Sequence, residues 1–326
     1  MAEVTLVGAV AMALARAMAD DETVVVLGED VGVDGGVFRA TEGLHARFGG
    51  ERVIDTPLAE TGILGMAVGM AAQGLRPVAE MQFLGFTYPA VDQIVNHAAR
   101  LRNRTRGRLS CPLVVRAPFG GGIRAPEHHS ESTEAMFAHI PGLRVVVPSS
   151  PGRAYGLLLA AIRDPDPVIF LEPKRIYRVI KEAVSDDGAA LALDTCFTLR
   201  EGGDVTLVSW GAMTRETLEA ADRLAARGVS AEVIDVATLK PLDMETILAS
   251  VEKTGRCVIV HEATYSGAVG ADIAARLAER GLLSLLAPVE RVAGYDTIMP
   301  LYRLEDRYMP SVARIAAAAR RCIDFE

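Results

Sequence analysis

Two stretches of this 326-residue sequence hold side chains able to move protons. The first is DTPLAETGILGMAVGMAAQG, where Glu60 opens a nearly uncharged run after Asp55-Thr56-Pro57. A carboxylate beside an apolar, glycine-rich helix start is expected to be partly desolvated, and desolvation raises a carboxyl pKa. The plainer role is an acid of the first helical turn that complements the macrodipole. The second stretch is RAPFGGGIRAPEHHS (Arg116–Ser130), ending in His128 and His129. Its glycines and prolines make a long loop after a strand, at the sheet edge where α/β proteins bind ligands. Imidazole, with an unperturbed pKa of about 6.5, gives or takes a proton near neutrality. No acid or cysteine lies at a spacing that would support a metal there, and an ordinary surface loop is the other reading. His97, His139 and Trp210 read as structural, whereas His261-Glu262 at a strand end is open to either role. There is no GxxxxGK[ST], no GxGxxG opening a helix and no GDG…N. The glycines of GEDVGVDGG (Gly28–Gly36) read as turns.

Strands alternating with helices must position these residues, the pattern of parallel sheets covered by helices. Strands are expected at Thr23–Leu27, Val53–Asp55, Pro77–Met81, Leu113–Arg116, Leu143–Val147 and Val168–Leu171. Helices are expected at Glu60–Gln73, Ala90–Leu101 and Gly152–Arg163. The acidic stretch Glu182–Gly188 reads as a surface linker. A second alternation follows, with strands at Val205–Ser209, Ala231–Asp235 and Cys257–Val260, and helices at Glu216–Ala226, Met244–Val251, Ala271–Glu279 and Ser311–Arg321. The division is therefore a first domain over 1–185, a linker over 186–200 and a second domain over 201–326.

Composition narrows the class. Half the residues are hydrophobic and the net charge is −8, which suits large cores and argues against a nucleic-acid binder. The apolar run Leu6–Ala15 is too short to span a bilayer and reads as a first helix. Cys111, Cys196, Cys257 and Cys322 are scattered, with no CxxC, as in a reduced cytoplasmic protein without disulfides or zinc.

Together these segments resemble the beta subunit of the thiamine diphosphate-dependent decarboxylating component of 2-oxo acid dehydrogenase complexes. The likeness is carried in order by VVVLGEDVG, VIDTPLAETGILGMAVGMA, AEMQFLGFTYPAVDQIVNHAA, RAPFGGGIRAPEHHSES, PGLRVVVPSSP, DPVIFLEPKRIYR and KTGRCVIVHEA. It implies a transketolase-like pyrimidine-binding domain followed by a transketolase C-terminal domain. It also implies an alpha2beta2 heterotetramer whose alpha subunit holds the cofactor diphosphate and magnesium, which accounts for the missing GDG…N. The tetramer would pass its acyl group to lipoyl on an acyltransferase core.

By the same resemblance, Glu60 matches the acid that hydrogen-bonds cofactor ring nitrogen N1′. Leu58, Gln82 and Phe86 match its pyrimidine contacts, and Phe86 suits stacking on a flat ring. His129 matches the histidine that assists acyl transfer to lipoyl, while His128 occupies a variable position. Some members imply a potassium site built mainly from main-chain carbonyls, here at Cys111, Leu113, Ala161, Asp164 and Asp166; a tight turn without metal is the alternative. The QFLGF and PFGGGIRAPE segments are similar to pyruvate-type relatives, and AGYDTIMP (Ala293–Pro300) to branched-chain ones. The balance leans to pyruvate over 2-oxoisovalerate; an acetoin dehydrogenase beta subunit has the same layout. A non-catalytic scaffold is the alternative of a different class, against which the joint presence of Glu60 and His129 speaks.

Overall fold

A computed structural model describes residues 2–326. Its chain divides into two units, one of residues 1–119 and 136–193, the other of residues 120–135 and 194–326. Elements in the first stretch of chain are β1 (Ala2–Thr5), α1 (Leu6–Asp20), β2 (Val24–Gly28), α2 (Leu44–Phe48), β3 (Val53–Asp55), α3 (Glu60–Ala72), β4 (Arg76–Glu80), α4 (Leu101–Arg104) and β5 (Val114–Phe119). They continue as α5 (Glu134–Ala138), β6 (Arg144–Val146), α6 (Pro151–Arg163), β7 (Val168–Pro173) and β8 (Lys181–Val184). Within the first unit β6-β7-β5-β4-β2-β3 form a parallel sheet. Its central strands are buried on both faces, as β2 shows with five buried residues in a row. The run Leu6–Ala15 lies within α1, which starts where the Thr5 hydroxyl accepts the Gly8 N–H (3.3 Å) and packs against α6. Among the described residues no helix is long and apolar enough to cross a membrane.

The second unit holds β9 (Phe197–Arg200), β10 (Val205–Ser209), α7 (Met213–Ala225), β11 (Ala231–Asp235), β12 (Thr238–Lys240), α8 (Met244–Thr254), β13 (Cys257–Thr264), α9 (Val269–Arg280), β14 (Glu290–Gly294), α10 (Tyr302–Tyr308) and α11 (Val312–Ile323). Its sheet runs β14-β13-β10-β11-β9, parallel except for the antiparallel edge strand β9. Helices α7 and α11 cover a core that includes Leu207, Val233, Val260, Leu224 and Ile315.

Three local expectations differ from this architecture. Glu182–Val184 is not linker but part of β8, which pairs antiparallel with β1. Residues 197–200, at the end of the expected linker, are the edge strand β9. The expected helix Ala90–Leu101 is broken into short turns: a 3-10 stretch Leu84–Ala90, a π turn Gln93–His97, another 3-10 turn Ala98–Arg100 and then α4. Pro89 lacks an N–H, so it donates no ladder hydrogen bond within the 3-10 stretch that precedes these turns.

The first sheet carries a buried charge network. Arg116 pairs with Glu80 (2.7 Å) and, through two nitrogens, with Glu172 (2.6 and 3.0 Å), which also accepts the Tyr177 hydroxyl (2.6 Å). All four side chains are buried. Burial alone would depress the guanidinium pKa, but Glu172 and Glu80 outweigh it and keep Arg116 charged. Removing one member strands the others in a dry interior. Arg116→Met is therefore expected to cost about 3–5 kcal/mol in unfolding free energy, measured by urea denaturation. A loss within experimental error would mean that the network is not buried in solution.

Candidate active site

In the first unit, the turn after β2 and the start of α3 are built around acids. Asp55, ending β3, accepts the N–H groups of Gly32 (2.6 Å) and Val33 (3.2 Å), which fixes the GEDVG turn. That turn buries Glu29 and leaves its Oε1 without a hydrogen-bond partner. Burial, then the charges of Glu60 and Asp30, hold the Glu29 carboxyl above the usual carboxylate range. Glu60 is the first residue of α3 and half-buried; no side chain caps the helix at Ala59. The two acids are thus electrostatic neighbours, a pairing that gives one of them a reason to keep a proton.

The other expected ring contacts flank this pair. Leu58 is 79% exposed. Gln82, just beyond β4, donates from Nε2 to Asp30 (3.2 Å), so it belongs to the same turn. Phe86 lies in the 3-10 stretch 84–90, tied to α3 by the Thr61 hydroxyl donating to the Pro89 carbonyl (2.8 Å). Its ring meets Phe83 edge-on at 5.4 Å, Phe83 meets Phe38 at 5.5 Å, and Phe38 meets Tyr177 at 5.3 Å. Phe86 is therefore a half-buried member of an aromatic row, with its orientation set by packing.

The proposed potassium positions gather in one place. The Cys111 N–H donates to the Pro165 carbonyl (3.1 Å), bringing residues 111–113 beside the 161–166 turn. The carbonyls of Cys111, Leu113 and Ala161 accept from Leu113, Val168 and Asp164, and that of Asp164 accepts from Arg76. Each carbonyl oxygen has a second lone pair, so hard-cation ligation is compatible with these bonds. The carboxylates of Asp164 and Asp166 are instead engaged by Arg144 (3.0 Å) and Arg102 (2.6 Å).

The histidine loop lies in the compact unit that holds residues 120–135 and 194–326. Gly121 N–H donates to Glu262 (2.8 Å), and the N–H groups of Gly122 and Arg124 donate to the two oxygens of Glu305 (2.6 and 2.8 Å). A Cβ on Gly120 (φ +87°) would sit 2.7 Å from the Glu262 carboxylate, and one on Gly121 would sit 2.6 Å from Met299 Cε. The glycine run thus permits the close approach of backbone to carboxylate. His128 and His129 follow in the short 3-10 turn Glu127–His129, with ring centroids 4.3 Å apart. His128 is exposed beside Glu127 (3.6 Å), whereas His129 is half-buried.

Behind the loop, Trp210 donates from Nε1 to Glu134 (3.2 Å) and stacks on His261 at 5.2 Å. Burial pushes the Glu134 carboxyl up to about 8, and pushes His261 down to about 4. His261 is thus held neutral at pH 7 in its stack with Trp210. His97 and His139 are absent from both clusters. Glu29 and Glu305 are the residues that sequence reading passed over. Glu262 was at least visible as an acid ending an apolar strand; nothing in the local sequence marks Glu305.

Known proteins show two domains in sequence. The transketolase pyrimidine-binding domain matches residues 2–179, and the transketolase C-terminal domain matches residues 195–315. The pyruvate dehydrogenase E1 component subunit beta of Bacillus subtilis is 47% identical over 325 residues, covering 100% of both chains. That of Acholeplasma laidlawii is 49% identical over 321 residues, covering 98% of each. Among solved structures, a split-gene transketolase described as an inactive beta4 tetramer superposes with a TM-score of 0.81 at 25% identity, over 99% of both chains. With full-length identity at this level and both domains in order, the chain belongs to the family of pyruvate dehydrogenase E1 component beta subunits, built on the transketolase-like α/β fold.

Proposed function

We propose that this chain is the beta half of a cytoplasmic E1 component that decarboxylates pyruvate and passes the acetyl group to lipoyl, and that it works only with an alpha partner. The observation that carries this reading is the acid pair Glu29 and Glu60, with one buried Glu29 oxygen left without a partner. Such a wall fits a ring nitrogen that can take a hydrogen bond or a proton. Thiamine diphosphate, when bound, supplies that ring and serves as the electron sink for decarboxylation. Glu60 holds or passes the proton at N1′, while Leu58, Gln82 and Phe86 line the ring. Phe86 is held for this task by Phe83. His129, on its glycine-rich loop, handles the proton of the acyl-transfer half.

The diphosphate and magnesium fall to the alpha subunit, because the sequence offers no GDG…N. The relatives' designation as subunit beta of a pyruvate dehydrogenase E1 component supports both the partner and the substrate. The split-gene transketolase beta chain, inactive as a tetramer of itself, supports the dependence on a partner. Four buried free thiols suit the reducing cytoplasm. The 111–113 and 161–166 carbonyls are assigned to potassium.

The test is reconstitution. The purified chain should show no pyruvate decarboxylation with thiamine diphosphate and magnesium, and full turnover once the alpha chain is added. The lipoyl-coupled reaction should also need the acyltransferase core. Magnesium-dependent turnover by the beta chain alone would overturn the arrangement. Replacing potassium with choline at equal ionic strength should lower the thermal midpoint of the tetramer, and an unchanged midpoint would remove potassium from the assignment.

A further inference from the structure

The second unit spends two buried carboxylates on three loop N–H groups, and this is an unusual investment for a surface connection. Glu305 is only 1% exposed, although its helix α10 also carries Tyr302 and Leu304, both more than half exposed. A buried carboxylate is costly unless its oxygens are satisfied, and charge-assisted bonds to backbone N–H groups satisfy them. Both Glu305 oxygens serve this purpose, spanning Gly122 and Arg124, while Glu262 takes Gly121. The downstream end is tied as well: Gly120 N–H donates to the Glu131 carbonyl (3.0 Å), closing the segment into a loop with His128 and His129 in between. Arg124 sits at φ +59°, a conformation that a non-glycine residue keeps only when its surroundings hold it there.

We infer that Glu305 and Glu262 are positioning residues for acyl transfer, clamping the glycine run so that His129 is presented in one place. The inference rests on the role proposed above for His129, but the clamp itself can be measured without it. Glu305→Gln keeps the shape yet turns one acceptor oxygen into an N–H₂ group that faces an N–H donor. Hydrogen exchange of the full-length chain, followed by mass spectrometry, should show the 121–124 amides exchanging about 10- to 100-fold faster. The reconstituted tetramer should lose about 10-fold in kcat for lipoyl acylation, with KM for pyruvate and dye-coupled decarboxylation within about 2-fold of wild type. Glu262→Gln should speed exchange mainly at Gly121 and lower the same kcat, which guards against a folding defect peculiar to one variant. Unchanged exchange in both variants would overturn the clamp. Faster exchange with lipoyl acylation intact, or with both half-reactions and the thermal midpoint falling together, would overturn the positioning role. If His129→Ala leaves acylation intact while exchange still quickens, the clamp stands and the assignment of His129 fails instead.

Discussion

Glu60→Gln is expected to slow exchange of the thiazolium C2 proton in the enzyme reconstituted with its alpha subunit by about 100- to 10,000-fold, the usual range for loss of a positioned acid–base group. The amide keeps the length and can still donate to a ring nitrogen, but it cannot accept and return a proton. Folding should survive, because the start of α3 is not held by a Glu60 side-chain cap and the helix is fastened elsewhere through Thr61 and Pro89. The substitution also removes a negative charge from beside Glu29. Burial keeps the Glu29 carboxyl raised, but the contribution of Glu60 disappears, so the Glu29 pKa should move down towards its ordinary value. Carboxyl-carbon NMR of the labelled chain reads that shift directly. C2-proton exchange at the wild-type rate would take Glu60 out of the proton path. A Glu29 titration unmoved by the substitution would separate the two acids.

The place of Glu60 at the head of α3 was legible because its local sequence is informative: a strand-ending Asp-Thr-Pro, then a long uncharged helix with one carboxylate at its head. The parallel strands were legible for the same kind of reason, since β2 is an unbroken apolar run and β5 and β7 open on the apolar runs Val114-Val115 and Val168–Leu171. What escaped depends on partners distant in sequence. Glu305 reads as one more charge in an ordinary amphipathic segment until the 122–124 backbone is laid against it. Lys181–Val184 reads as polar chain because its ladder partner is the N-terminal strand. Trp210 reads as packing, and it does pack on His261, but its N–H also satisfies a buried Glu134 that no local pattern announces. The broken helix after Phe83 failed for a different reason. Apolar spacing at Val91, Ile94, Val95 and Ala98 fits a helix, and the same spacing tolerates the tighter and wider turns found there.

His129→Ala is expected to divide the two halves of the reaction. If the ring serves acyl transfer, acylation of lipoyl should fall by about 100-fold or more. Decarboxylation, read by a dye that oxidises the carbanion and bypasses lipoyl, should retain most of its rate. The geometry supports a difference between neighbours. His129 is half-buried and follows a backbone pinned at Gly121, Gly122 and Arg124, whereas His128 is exposed and turned to the Glu127 carboxylate. A side chain held on one side by a fixed loop can be aimed, and one facing solvent cannot, so His128→Ala should do little in either assay. Contact between the two rings at 4.3 Å means that removing His128 loosens His129 slightly. A small loss confined to the lipoyl-coupled assay is therefore expected from His128→Ala. Equal losses in both assays for His129→Ala would place the residue in substrate binding or decarboxylation. No loss in either would leave it a loop residue, and Glu305 and Glu262 would then be clamping something other than the acyl-transfer acid.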